Sequence, residues 1–118
     1  MFEWRDCLEL AKTLVAASRW SEASHRAAAS RAYYAAFHTS RETVERRLGA
    51  TLGRQAIHAE VIRYLRANPE TQTVGADLDR LRRIRFHADY DSNTFPARQA
   101  ELSVGLASGV LRRLDETR

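Results

Sequence analysis

Apolar residues recur along this chain at three- and four-residue spacing, the signature of helices with one buried face. Trp4, Leu8, Ala11 and Val15, with Cys7 and Leu14 alongside, predict a first helix over about 2–18. Neither Gly nor Pro occurs before Gly49, so the first break must come from capping. Ser21, after Arg19-Trp20 and ahead of Glu22, reads as an N-cap whose hydroxyl accepts a free backbone N–H. A second helix then runs to about Leu48, with Gly49 as its stop. Its stripe is Ala27, Ser30, Tyr34, Phe37, Val44 and Leu48, with Tyr33 on a neighbouring flank. At about 27 residues and 1.5 Å each it spans roughly 40 Å, the spine of a small domain.

A third helix, about 54–67, presents Ile57, Val61, Tyr64 and Leu65 and ends before Asn68-Pro69, because proline disfavours helix at the residue before it. Pro69 to Gly75 reads as a polar loop. A fourth helix carries Leu78, Leu81, Ile84, Arg85 and Ala88 on one face. Asp91-Ser92-Asn93-Thr94 is a turn cluster. Thr94 is a good N-cap for a fifth helix over about 95–114, with Pro96 in its first turn. That helix buries Ala100, Val104, Ala107, Val110, Leu111 and Leu114, and Gly105 and Gly109, four apart, suggest a close helix contact. The expectation is a single all-α domain over 1–118, an up-and-down bundle of four to five helices.

Composition sharpens this reading. The 118 residues include 19 Ala and 12 Leu against five Gly and two Pro, a balance that favours helices over a turn-dense β-sandwich. With 44% apolar and 29% charged residues the chain is neither disordered nor fibrous. Cys7 is the lone cysteine, which excludes an internal disulfide or a cysteine-based zinc site and fits a reducing compartment. No apolar run approaches the roughly 18 residues that span a bilayer. Met1-Phe2-Glu3-Trp4-Arg5-Asp6 lacks the basic-then-apolar layout of a secretory signal. The expected location is the cytoplasm.

Formal charge is +4, and 18 of the 19 cations are arginine, with Lys12 the exception. Arginine's planar fork suits phosphate, carboxylate and aromatic faces, so the usage permits an anionic partner without requiring one. Standard machines are missing. Gly49-Ala50-Thr51-Leu52-Gly53-Arg54 lacks the Lys-Ser/Thr of a phosphate loop. His25, His38, His58 and His87 are too dispersed for a metal motif, and there is no Gly-x-Ser-x-Gly elbow. No metal or cofactor is expected.

Two segments stand out. Ser30-Arg31-Ala32-Tyr33-Tyr34-Ala35-Ala36-Phe37-His38 sets adjacent tyrosines among alanines, a packing surface whose hydroxyls need partners. Arg31 and His38, seven apart, lie near one helix face. Arg80-Leu81-Arg82-Arg83-Ile84-Arg85-Phe86-His87-Ala88-Asp89-Tyr90 places four arginines and a histidine within eight residues. The helix dipole favours such cations in a last turn, and Arg85 with Asp89 has the spacing of a plain intrahelical ion pair. Arg85, however, falls on the apolar stripe, where a charge needs a carboxylate, a second chain or a phosphate.

Together the two segments resemble the HEPN superfamily of small helical nucleotide- or RNA-binding domains, in its branch with a tyrosine-rich second helix and an Arg-x-x-Ala-Asp-Tyr ending on the fourth. The similarity runs from Trp4 to about Leu114 and includes His58. It implies a helical bundle that forms homodimers, often paired with a nucleotidyltransferase in toxin–antitoxin or defence systems. In active members an Arg-x4–6-His motif from each chain makes a metal-independent endoribonuclease site, where the RNA 2′-hydroxyl attacks and a cation steadies the phosphorane charge. By this resemblance Arg85 holds phosphate, His87 shuttles protons, and Tyr90 and Asp89 orient them, while Arg82, Arg83, Arg31 and His38 contact RNA. Five positions after Arg85, where active members carry His, this chain carries Tyr90; Arg82 with His87 restores the spelling three residues earlier. The rival readings are a non-catalytic dimeric module docking a nucleotidyltransferase and a scaffold with solvated arginines.

Overall fold

A computed structural model describes residues 1–17 and 21–117. Among them are five α-helices and no strand: α1 (Arg5–Ala17), α2 (Glu22–Leu48), α3 (Ile57–Ala67), α4 (Gln72–Tyr90) and α5 (Ala97–Glu116), with a 3-10 turn at Pro69–Thr71. The chain is an all-α helical bundle. The end of the first helix expected at residue 18 lies outside the described residues, as do Arg19 and Trp20.

The caps of α2 follow from local chemistry. Ser21 is extended and its hydroxyl accepts the Ala23 N–H at 3.1 Å, while Gly49 takes the left-handed conformation (φ 66°) that ends the helix. The 44 Å long axis of the domain matches the length of this helix. α2 packs most extensively on α1 and α5, then on α4, so its middle is covered on several sides. A single stripe therefore misdescribes it. Ala28, Ala29, Ala32, Tyr33, Ala35, Ala36 and Phe37 are all buried, while the expected stripe ends, Ala27 and Leu48, are exposed. Alanine suits this position because it lets neighbouring backbones approach and costs no side-chain entropy.

The remaining stripes lie inside as expected, through Leu8 and Ala11 on α1, Val61 and Leu65 on α3, Leu78 and Leu81 on α4, and Ala107, Val110 and Leu114 on α5. Each fully buried leucine or valine contributes about 1.5–3 kcal/mol. A second cluster, Ala28, Ala29, Ile84, Ala88, Phe95 and Ala100, closes the end of the bundle where α4 turns into α5.

Three expectations need correction. Pro69–Gly75 is not a loop: the chain makes one 3-10 turn and enters α4 at Gln72. Buried Thr71 donates its hydroxyl to the Leu65 carbonyl at 2.9 Å, and Asn68 donates to Tyr64 O at 2.7 Å, so the last carbonyls of α3 are satisfied within a tight corner. The close helix contact is not at Gly105 or Gly109, where a Cβ would meet no other helix within 4 Å among the described residues. It is at Gly75, where a Cβ would sit 2.8 Å from the Arg66 backbone nitrogen. Thr94 does not cap α5. Phe95 N–H instead donates to Glu22 Oε1 at 3.0 Å, and the helix starts at Ala97 after Pro96.

Candidate functional site

The C-terminal half of α4 lies against the middle of α2, and there the two singled-out segments meet. Arg85 stands on the packed side of α4 with a side chain only 19% exposed. Its guanidinium carbon lies 5.9, 5.3 and 5.9 Å from the ring centres of Tyr33, Tyr34 and Tyr90. Nη2 donates to the Tyr34 hydroxyl at 2.8 Å. Asp89, one turn on, brings Oδ2 within 2.8 Å of Nε, but off the N–H direction, so the buried Nε–H has no acceptor among the described residues. Arg31 covers the Tyr34 ring, with its guanidinium carbon 5.1 Å from the centre. Tyr34 is thus flanked by two cations, an arrangement its electron-rich faces favour.

On the inner side, the buried Tyr33 hydroxyl meets His58 Nδ1 of α3 at 2.5 Å. Burial pushes the Tyr33 hydroxyl well above its ordinary range, Arg82 and Arg85 offsetting only part of this. His58 is held below the usual imidazole value by burial and then by Arg82 and Arg85. The phenol therefore keeps its proton and donates it to a neutral imidazole. His58 stacks on Phe37 (4.1 Å, 15°), and beyond Phe37 lies His38, stacked on Trp4 at 3.6 Å. His38 is lowered to about 4 by burial, by Arg41 and by His58, and its Nδ1 accepts from Arg41 Nε at 3.3 Å.

The expected residues divide by helical phase. Asp89 and Tyr90 gather around Arg85, Arg85 and Arg31 lie against Tyr34, and His38 stacks 6.0 Å from that ring. Arg82, three residues before Arg85, faces α3 and His58. Arg83 and His87 are displaced by two residues each, about 200° around the helix, and point away from the cluster. Arg83 pairs with Asp79 at 3.5 Å, and its side chain is 70% exposed. His87 is 65% exposed and pairs with Asp91 at 3.4 Å. The Asn93 backbone N–H, then His87, hold the Asp91 carboxyl below its ordinary value.

Two contributors had no strong signal in the sequence. His58 is a lone histidine near the start of α3, and only the fold brings it to Tyr33. Arg26 is the other: its guanidinium donates to the backbone carbonyls of His87 (3.3 Å), Ala88 (2.9 Å), Asp91 (2.5 Å) and Asn93, pinning the end of α4 that carries Asp89 and Tyr90. A cation there also complements the helix dipole. Among the described residues no three His, Cys, Asp or Glu side chains come together as a metal site requires, and no helix is long and apolar enough to cross a membrane.

Chemically, the cluster offers an oriented cation with unspent donors, tyrosine faces and neutral imidazoles. Comparison with models of protein families, with curated proteins and with solved structures finds no match.

Proposed function

We propose that this chain is an RNA-binding domain of the HEPN type, in which Arg85 takes an RNA phosphate on the α2–α4 face. One observation carries the reading: Arg85 is held among tyrosine rings on the α2–α4 face, one Nη on the neutral Tyr34 hydroxyl and a single carboxylate, Asp89, beside it among the described residues. A phosphate oxygen is the acceptor that matches the fork. Arg31 and Arg82 flank the position and keep its field positive, and the exposed Tyr90 ring supplies a face for a base.

Phe86 (58% exposed) and Tyr90 (67% exposed) stand one turn apart on α4 with rings 5.0 Å apart. This face supports the homodimer in our proposal, which would set two Arg85 sites side by side, and it equally suits a nucleotidyltransferase partner in a toxin–antitoxin or defence pair. Within one protomer His87 points away from Arg85, which favours the non-catalytic form of the reading. Metal-independent cleavage would need His87 of one copy to meet Arg85 of the other.

The test is binding of a labelled single-stranded RNA in EDTA, with the product ends analysed. Wild type should bind, and Arg85→Met should lose at least the roughly tenfold that about 1.4 kcal/mol represents. Cyclic 2′,3′-phosphate ends that vanish in His87→Ala would establish the endoribonuclease; intact RNA would establish the binding module. Equal affinity in wild type and Arg85→Met would overturn the assignment.

A further inference from the structure

α3 and α4 touch where Gly75 admits the Arg66 backbone. Between the two helices lies a groove of about 510 Å³, floored by Ala59 and Ile62 and walled by Arg63, Arg66, Arg82 and Asp79. Its charge is unbalanced. Asp79 is the only carboxylate in the lining, and it is already shared at 3.5 Å between Arg66 and Arg83 outside the groove. Neither Arg63 nor Arg82 pairs with a carboxylate among the described residues. No aromatic ring lines the groove, so it offers bases no stacking platform, while its small apolar floor leaves room for a sugar–phosphate chain. Arg82 joins the groove to the tyrosine site: it lies one turn before Arg85, about 4.5 Å along the axis, and both cations bear on His58.

We infer that this groove is a second subsite that tracks the phosphodiester backbone of single-stranded RNA next to the phosphate at Arg85, without reading sequence. The inference rests on the RNA-binding reading and extends it from one phosphate to a path. Arg63 and Arg66 neutralise flanking phosphates, Arg82 bridges the two subsites, and Asp79 limits the attraction. Phosphate contacts of this kind set affinity and register and carry no base preference.

The inference is tested by fluorescence anisotropy with the full chain. The probes are oligouridylate and oligoadenylate of about ten nucleotides, and a uridine dinucleotide too short to reach both subsites. Each phosphate contact on a single strand contributes about 0.7 to the log–log salt slope, or about fivefold at 0.1 M salt relative to 1 M. The double variant Arg63→Gln/Arg66→Gln should therefore weaken both long probes about 25-fold and lower the slope by about 1.4, leaving the dinucleotide unchanged. Asp79→Asn should tighten the long probes, an opposite sign that loss of fold cannot produce. Long-probe affinity retained in the double variant while Arg85→Met weakens every probe would overturn the groove and spare the Arg85 site. Arg85→Met without effect on any probe would overturn the site on which it depends. Competition by oligoglutamate as effective as RNA of equal charge would overturn the phosphate assignment in favour of an acidic protein segment.

Discussion

Arg26→Ala removes one side chain that ties the start of α2 to the end of α4 and the turn beyond it. Of its four carbonyl acceptors, Ala88 O at 2.9 Å and Asp91 O at 2.5 Å are partly buried, so water cannot fully replace the lost donors. Charge-assisted bonds of this kind contribute about 1.5 kcal/mol each at the low end. The bonds to His87 O and Asn93 O, and the Glu22 pair, face solvent and add little. The stacked Phe95 ring, 5.6 Å from the guanidinium carbon, adds about 0.5 kcal/mol. The expected loss is about 3.5 kcal/mol. At about 2.1 cal/mol/K of unfolding entropy per residue, that lowers Tm by about 14 °C. Urea denaturation and calorimetry measure it directly. Hydrogen exchange adds a local readout, since the Asp91 amide, bonded to His87 O at 3.1 Å, should lose protection first. Arg26→Lys, which keeps the charge without the fork, should recover about half. A loss below about 1 kcal/mol would show that water substitutes for the guanidinium and that the clamp is not what holds the end of α4.

Three further outcomes follow from the same structure. Gly75→Ala gains about 1 kcal/mol of helix propensity but forces a Cβ to 2.8 Å from the Arg66 nitrogen, which as backbone cannot swing aside. With overpacking at about 1–3 kcal/mol, the net should be a loss of about 1 kcal/mol by denaturation, and a gain would mean that α3 and α4 slide freely. Stability should fall with acid: His38 is lowered to about 4, so from about pH 6.5 down to about 4 the unfolded chain binds a proton the folded chain refuses. Partial exposure, and the Trp4 ring that favours the imidazolium, hold this effect to about 1 kcal/mol, with His58 adding in the same direction. Urea midpoints between pH 7 and pH 5 check it, and a His38→Gln variant should show a flatter profile; an unchanged slope would place the acid sensitivity elsewhere. Arg85→Met should cost about 1 kcal/mol, because the Asp89 carboxylate it leaves unpaired is 28% exposed and takes up water in place of the guanidinium. A loss of several kcal/mol would make Arg85 a structural residue and favour the buried-network reading.

Periodicity and capping, which act within a few residues, determined the helices: Ser21 and Gly49 bound α2 as read, and the stripes of α1, α3, α4 and α5 are the faces that pack. The inward placement of Arg85 was equally legible, because its phase among Leu78, Leu81, Ile84 and Ala88 is a property of α4 alone. Tertiary structure decided the rest. Which side of α2 counts as buried depends on how many helices surround it, and the apolar pattern along one helix cannot register that. Gly75 and Gly105 look alike in sequence, but a neighbouring backbone lies over only one of them. The Tyr33–His58 and Arg85–Tyr34 bonds, and the Arg26 clamp, join residues 25, 51 and 61 to 67 positions apart. A contact across such a separation exists only after the bundle has closed, so no local pattern encodes it.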